Sequence, residues 1–549
     1  MKLCAPIAAV GLCLFGSVLA AADEYRGFWA DGFNDGIRTP QQTDTLIQRL
    51  QESNCNALWA QVRKRGDAQY RSHYEPWARE NPDHWDALAY LLQKAHASNP
   101  RIEVHAWINT CAVGGDSSPK HILKKHPEFI SLSDKGEDYD NEATKIDPGN
   151  PGAADWTFRV YLDVLRNYDV DGIHFDFVRF GGAHWGYNPV SVAWFNALHN
   201  RIGKPAFDDP EFQQWRRENL TNLVRKVYVH SKTLKPKVAV SAATITWGNG
   251  PKDQAGWIQS SAYRNVYQDW RVWMEEGILD INCPMMYFSN SKRREYWLNW
   301  NEFAKNNKFS GRVVIGSGIW LNSIPDTMMQ IEDIRKPSST GATHDGVLLY
   351  SYAGTNVDEK GKEANYNPAF YSALAKPSEF SPHPPFAEIA NPPISRAPGG
   401  IVKGFTLTDP WLAPVVGATV RLSGPATRQM RSDVTGFFAF ANLPSGHYTV
   451  AFDDPHFQQH RKVISVDGST ASILNYWSND GRPSGRTRGL WTVTEADEAT
   501  VTVKERTGTM RRLLKQSSLF LPLQKGDIVV ISDLLKGLQP AIRLVDFAK

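Results

Sequence analysis

Between Tyr25 and Ala353 the chain alternates, eight times over, a short apolar run with a longer stretch of helical periodicity. This rhythm restricts the fold more than any other feature. The short runs are Arg26–Asp31, Ala57–Arg63, Glu103–Asn109, Gly172–Arg179, Val238–Ile245, Asp280–Tyr287, Val313–Ile319 and Gly346–Ala353. Near-continuous apolar character over so few residues is expected of strands buried on both faces. The intervening stretches carry helix signals. Thr39-Pro40-Gln41-Gln42 reads as a capping box with proline in the first turn, followed by Leu46, Ile47 and Leu50 on one face. Asp86–Ala97 places Leu88, Leu91, Leu92 and Ala95 at helical spacing, and Pro151, Pro325 and Pro368 open further helices. Eight strands alternating with helices over roughly 350 residues predict an α/β fold, a (β/α)8 TIM barrel, rather than an open sheet. No G-x-G-x-x-G follows an early strand, which argues against dinucleotide binding.

The flanks differ in texture. Lys2 precedes an apolar run from Leu3 to Leu19, and Ala20-Ala21-Ala22-Asp23 follows. This reads as a signal peptide over residues 1–22 and places the mature chain outside the cytoplasm, secreted or periplasmic. A retained anchor is the alternative. Nothing later in the chain is long and apolar enough to span a membrane. The barrel is expected over residues 23–375. Residues 376–399 are proline-rich and read as an extended linker crossed by few contacts. Alternating apolar residues between glycine and proline turns then predict a small β-sandwich over 400–477, and a further small β domain over 486–549. A net charge of +3 with no basic tail excludes an obvious nucleic-acid partner. Cys55, Cys111 and Cys283 show neither disulfide-framework nor zinc spacing, and are expected as buried free thiols.

In such a barrel, chemistry collects where strands pass into loops at their C-terminal ends. Those ends are rich in hydrogen-bonding groups and aromatic rings, as a sugar site requires. The central residue is Asp176, in the run Asp169 to Phe180, because a carboxylate at the exit of a buried strand is costly unless paired or used. The alternative is a structural carboxylate tied to Arg179 or Arg63. Glycoside cleavage typically needs a second carboxyl group. Candidates are Asp269, in the first turn of the helix after strand five; Asp67, in the loop after strand two; Asp31, closing strand one; and Asp147, which also suits a turn. Asp269 ranks narrowly above Asp67, whose cationic neighbours Arg63, Lys64 and Arg65 would lower its pKa. Glu103 begins its strand and belongs at the other end. Trp107, Trp247 and Trp320 are candidates for the cleft, whereas Trp59, Trp156 and Trp194 suit the core. His105 and His174 stand alone in their strands, so no metal cluster is expected and no cofactor is required. No G-x-S-x-G elbow occurs at a strand end.

Longer motifs narrow the reading. RGFWADGF, NALWAQVRKRGDAQYRSHYEPWA, KAHASNPRIEVHAWINT, DPGNPGA, NYDVDGIHFDFVRF, YQDWRVWMEEGILDINCPMMY and VVIGSGIWLN resemble, in order and approximate spacing, the glycosyl hydrolase-like family 10 proteins from Tyr25 to Tyr371. The resemblance implies a TIM barrel and a secreted or periplasmic glycosidase acting on peptidoglycan glycan strands. It places Gln61, Arg63, Asp67, His105, Asn109, His174, Asp176, Arg179, Asp269 and Tyr287 in the cleft. To these the strand ends add Trp107, Trp247 and Tyr352. Met286 departs from the family, where Gln or Asn is common. The segment after the linker resembles the carboxypeptidase regulatory-like domain through G-A-x-V, D-x-x-G-x-F and L-P-x-G-x-Y, and the β modules are candidates for cell-wall association. The expectation is therefore a glycoside hydrolase with Asp176 as nucleophile or charge stabiliser, Asp269 or Asp67 as acid, and His105, His174 and Arg63 holding a polysaccharide. The alternatives are a barrel that binds glycan without cutting it, and a hydrolase of another microbial or plant polysaccharide.

Overall fold

The computed structural model describes residues 23–114, 118–394, 398–407, 414–452, 461–468, 471–477, 490–496, 500–505, 508–514, 525–531 and 542–546. Residues 1–22, read above as a signal peptide, lie outside them. Eight parallel strands close into a barrel in sequence order: β1 (Tyr25–Ala30), β2 (Ala57–Arg63), β3 (Glu103–Asn109), β4 (Gly172–Asp176), β5 (Ala239–Thr244), β6 (Ile281–Met286), β7 (Arg312–Gly318) and β8 (Gly346–Tyr350). Thr39 caps its helix by accepting from the Gln42 amide at 3.2 Å, and Asp86 caps the next. No helix among the described residues is long and apolar enough to cross a membrane.

Alternate residues of each strand face the barrel interior, which Tyr25, Trp29, Trp59 and Trp107 largely fill. Rings of that size need small partners. A Cβ on Gly27 would lie 2.8 Å from the Trp59 ring, and one on Gly316 only 2.6 Å from Trp29. On Gly172 it would strike His105 at 2.1 Å. Glycine at these inward positions is therefore a packing requirement, the large-against-small alternation of a dense core. The outward residues build a second core against the helices. Met286 belongs to that outer core and is fully buried. It faces the helices, so its departure from the family pattern removes no contact in the cleft. Among the described residues Cys55, Cys111 and Cys283 are buried and free.

After β8 comes a short hairpin, β9 (Gly354–Val357) and β10 (Glu363–Asn365), then the helix Pro368–Ala375. The proline-rich segment that follows is not the lightly held linker its composition suggests. It lies along the N-terminal end of the barrel. Phe386 is fully buried between the guanidinium groups of Arg26 (4.9 Å) and Arg335 (5.8 Å). Asn54 and Asn56 donate to the carbonyls of Phe386 and Ala390 at 2.8 and 3.0 Å. Glu24 donates its amide to the Asn391 carbonyl at 3.1 Å. Composition reports backbone stiffness; it does not report that the barrel floor offers Asn and Arg side chains to proline-rich carbonyls.

Beyond it stands a sandwich of two sheets. One has the order β14-β11-β17, with β11 Gly400–Leu407, β14 Phe437–Leu443 and β17 Ala471–Trp477. The other is β13-β12-β15-β16, with β12 Thr419–Ser423, β13 Arg428–Arg431, β15 Gly446–Phe452 and β16 Arg461–Val466. β11 is buried along its whole length. Val402, Phe438 and Phe440 face the sandwich interior, while Ile401, Phe405, Phe437 and Ala439 join the core shared with the barrel. Asn442 donates to the Gly277 carbonyl, and Lys226 to Thr435 Oγ1 at 3.1 Å. A last sheet runs β20-β19-β18-β21-β22, formed by Leu490–Ala496 (β18), Thr500–Glu505 (β19), Met510–Leu514 (β20), Ile528–Ile531 (β21) and Ile542–Asp546 (β22).

Candidate active site

Asp176 closes β4 and points into the C-terminal mouth of the barrel. The indole N–H of Trp107, from the neighbouring β3, donates to its Oδ2 at 3.0 Å. The amide of Phe177 donates to Oδ1 at 2.6 Å. Phe177 stands in the left-handed region at φ 48°, so the chain turns sharply as it leaves the strand. Burial raises the Asp176 carboxyl to about 6, against the lowering effect of the Phe177 amide, the Arg179 charge and the Trp107 indole. Neither arginine proposed as its salt-bridge partner binds it. Arg63 is fully buried and pairs with Glu75 at 2.6 Å. Arg179 forms a fork with Glu142, 3.0 and 3.1 Å. Asp176 is thus a buried carboxyl held by two N–H donors, with no cation bonded to it.

Beneath it lies a closed network. Trp29 Nε1 donates to His174 Nε2 at 3.0 Å, and indole is only a donor, so that nitrogen carries no proton. His174 Nδ1 therefore donates to Ser241 Oγ at 2.8 Å, and Trp59 donates to the same oxygen at 3.3 Å. Burial holds His174 well below the usual imidazole range, next to His105. His105 stacks on Trp59 with centroids 4.4 Å apart, lower still, 3.4 Å from Glu103. Both histidines have no accessible surface. They support the floor of the site rather than touch a sugar, contrary to the role expected of them, because the barrel axis above them is already filled by tryptophan.

The other expected residues divide. Gln61 accepts from the Gly32 amide at 2.9 Å and donates to Asn109, which donates to the Lys64 carbonyl at 2.8 Å. All are buried and hold the first three loops together. Asp67 accepts the amides of Lys64 and Arg65 at 3.0 and 2.9 Å, shaping its own turn. Burial raises its carboxyl and outweighs those amides and the Lys64 charge, the reverse of the lowering expected from nearby cations. Asp269 caps the helix Trp270–Glu276 by accepting from the Val272 amide at 3.4 Å, and accepts from Trp257 Nε1 at 3.1 Å. Burial raises it too. It sits among Trp257, Trp270 and Arg217, and shares no bonding partner with Asp176. Asp147 shapes its turn through the Gly149 amide at 2.8 Å. Tyr352 is buried outside the barrel, where it meets Arg49 at 3.4 Å, because the chain bends away after Tyr350.

What gathers at this mouth is an aromatic wall with two further carboxylates, Asp31 and Glu142, and the charge of Glu142 adds to the raising of Asp176. Tyr287 stacks on Tyr350 at 5.1 Å, and Trp320 stands edge-on to both, 4.9 and 5.2 Å. Trp107 approaches Tyr350 at 6.4 Å. Burial raises both phenols above their ordinary range, and Asp176 and Asp31 both add to this. Asp176 ends β4, and Asp31 follows the last residue of β1, the strand whose Trp29 pairs with Tyr350 of β8. Asp31 accepts the Phe33 and Asn34 amides at 2.8 and 3.0 Å. Trp247 is exposed at the mouth, with the Arg179 guanidinium over it at 5.2 Å. Strand parity signals Tyr350, since Gly346 and Leu348 also point inward. It also signals Asp31, which follows Trp29. Glu142 carries no such signal; it lies in the irregular stretch between β3 and its helix. Among the described residues no three His, Cys, Asp or Glu side chains converge as metal ligands would.

A closed parallel barrel with buried carboxyls among aromatic rings at its C-terminal mouth is of the glycoside-hydrolase-like class. The chain belongs to the glycosyl hydrolase-like 10 family, whose model matches residues 24–334. Residues 402–476 match the carboxypeptidase regulatory-like domain. The chain is similar to glycosyl hydrolase YngK of Bacillus subtilis, 28% identical over 270 residues, covering 45% of this chain and 49% of that protein. It is 30% identical over 286 residues to glycosyl hydrolase DigH of Escherichia coli K12, covering 48% and 62%. It thus spans less than two thirds of the length of these curated relatives. Among solved structures, the PgaB (BpsB) glycoside hydrolase domain from Bordetella bronchiseptica covers 60% of this chain and 94% of its own, with a TM-score of 0.46 and 14% identity.

Proposed function

We propose that this protein is a secreted or periplasmic glycoside hydrolase that cleaves a polysaccharide, in first place the glycan strands of peptidoglycan. The observation that carries this reading is the buried Asp176 carboxyl at the barrel mouth, held by the Trp107 indole and the Phe177 amide next to the Tyr287–Tyr350–Trp320 wall. Asp176, raised to about 6 by burial, is suited to hold a proton and deliver it to a departing glycosidic oxygen. That differs from the role of nucleophile or charge stabiliser expected of it. Asp31, held among amide N–H groups, is the carboxylate assigned to activate water or to stabilise positive charge on the sugar. The aromatic wall covers the sugar's apolar face and excludes water. Incubation with purified glycan strands stripped of peptide, followed by release of reducing ends, tests the reading; other polysaccharides assayed in parallel test the substrate. No turnover on any of them, by protein that retains its fold, would remove it.

A second reading, a barrel that binds glycan without cutting, draws on Asp31, both of whose oxygens already accept from Asn34, at 3.0 and 3.1 Å. The same assay separates the two, since a binder retains the strands and releases no new ends.

A further inference from the structure

Two aromatic rings at the mouth remain open to solvent: Phe33 is 51% exposed and Trp247 45%. The two positions are built alike. Phe33 lies two residues beyond Asp31, with Lys64 Nζ and the Arg65 guanidinium over its ring at 4.9 and 4.8 Å. Both cations are tied to Glu80, at 2.7 and 3.7 Å. Trp247 carries the Arg179 guanidinium at 5.2 Å, and Arg179 is forked to Glu142 and also covers Phe177, next to Asp176. Each carboxylate of the pair therefore has beside it an exposed ring steadied by an ion-paired cation. A cation so held fixes the ring's orientation while leaving ring surface uncovered. The location is specific: Phe33 follows β1 and Trp247 follows β5, and in a closed ring of eight strands taken in order these stand on opposite sides.

We infer that Phe33 and Trp247 are the two outer platforms of one groove crossing the barrel mouth, which takes an extended glycan on both sides of the bond between Asp31 and Asp176. The inference rests on the glycan reading above and deepens it. An active site of this kind acts within a chain rather than on a terminal sugar, because binding energy is gathered on either side of the reacting bond. A groove with two remote platforms also binds longer oligomers more tightly until both are covered, and the gain then ceases.

The test uses the full chain carrying Asp176→Asn, so that oligosaccharides of graded length survive the titration. Affinity is expected to rise with length and then level off. Phe33→Ala and Trp247→Ala, added singly, should each weaken the longest oligomer by about tenfold, the scale of one lost aromatic contact. On the chain with Asp176 intact, early products from the polymer should be mixed oligomers. Affinity that does not change with length, or double variants that bind the long oligomer as tightly as Asp176→Asn alone, would overturn the groove while leaving the glycan reading in place. Failure to bind any glycan would overturn both. Circular dichroism and thermal melting of each variant separate a lost contact from a lost fold.

Discussion

The indole of Trp107 donates to Asp176 Oδ2 at 3.0 Å, from the strand next to that of the carboxylate. Such a bond favours the ionised form and holds the acid below the value burial alone would set. Trp107→Phe keeps a ring in the barrel and removes the donor. The descending alkaline limb of kcat/KM should move up by about one pH unit in this variant, with kcat lowered through loss of orientation. An unmoved limb would separate Trp107 from the titration of Asp176.

The pH profile of the unaltered protein carries a sign. A proton donor raised to about 6 is active below that value and loses activity as pH rises through it. A nucleophile would show the opposite limb, failing as pH falls. kcat/KM on a soluble oligosaccharide from pH 4 to 9 distinguishes them, and the alkaline loss is the expected result.

Asp176→Asn should lower turnover at least a hundredfold with the fold retained. Stability provides an independent reading. Because the folded carboxyl is raised above 3.8, the folded state holds its proton where the unfolded chain releases it, and stability falls between pH 3.8 and about 6. The variant lacks this loss. From pH 3 to pH 8 the difference in unfolding free energy should therefore shift in the variant's favour by on the order of 3 kcal/mol. Denaturant unfolding at both pH values measures it.

Asp31→Asn and Asp269→Asn should part company. The first should lose most activity. Asp269→Asn should keep activity and lose no more than about 1 kcal/mol of stability, because asparagine also caps a helix. Equal activity losses in the two proteins would restore Asp269 to the site.

The segment beneath the barrel should matter to stability. Phe386→Ala removes a fully buried ring and should cost about 3–5 kcal/mol. A chain ended after Ala375 should melt well below one ended at Pro398, which keeps the contacts of Phe386 and Ala390 with the barrel floor. Equal melting temperatures would show that this segment only rests on the surface.

Much of this protein is determined by local sequence. The eight short apolar runs specify eight strands to within a few residues, since a strand buried on both faces has no other composition available to it. Thr39, Asp86 and Pro151 mark helix starts because capping is a matter of a few neighbouring atoms. Asp176 stands out for the same reason: a charge at the end of an apolar run is visible without knowing its neighbours. Its surroundings are decided only in three dimensions. That His174 belongs to the floor follows from Trp29 and Ser241, which lie 145 and 67 residues away. That Asp269 caps a helix and bonds Trp257, while Asp31 stands at the end of β1 beside the β8 that carries Tyr350, depends on how eight strands close into a ring. Tyr350 and Tyr352 share a parity, yet one bend after β8 sends the first into the cleft and the second outward. The proline-rich segment looks the same in sequence whether it hangs free or lines a barrel floor. Burial, pairing and direction are properties of contacts between distant residues, and those exist only once the barrel has closed.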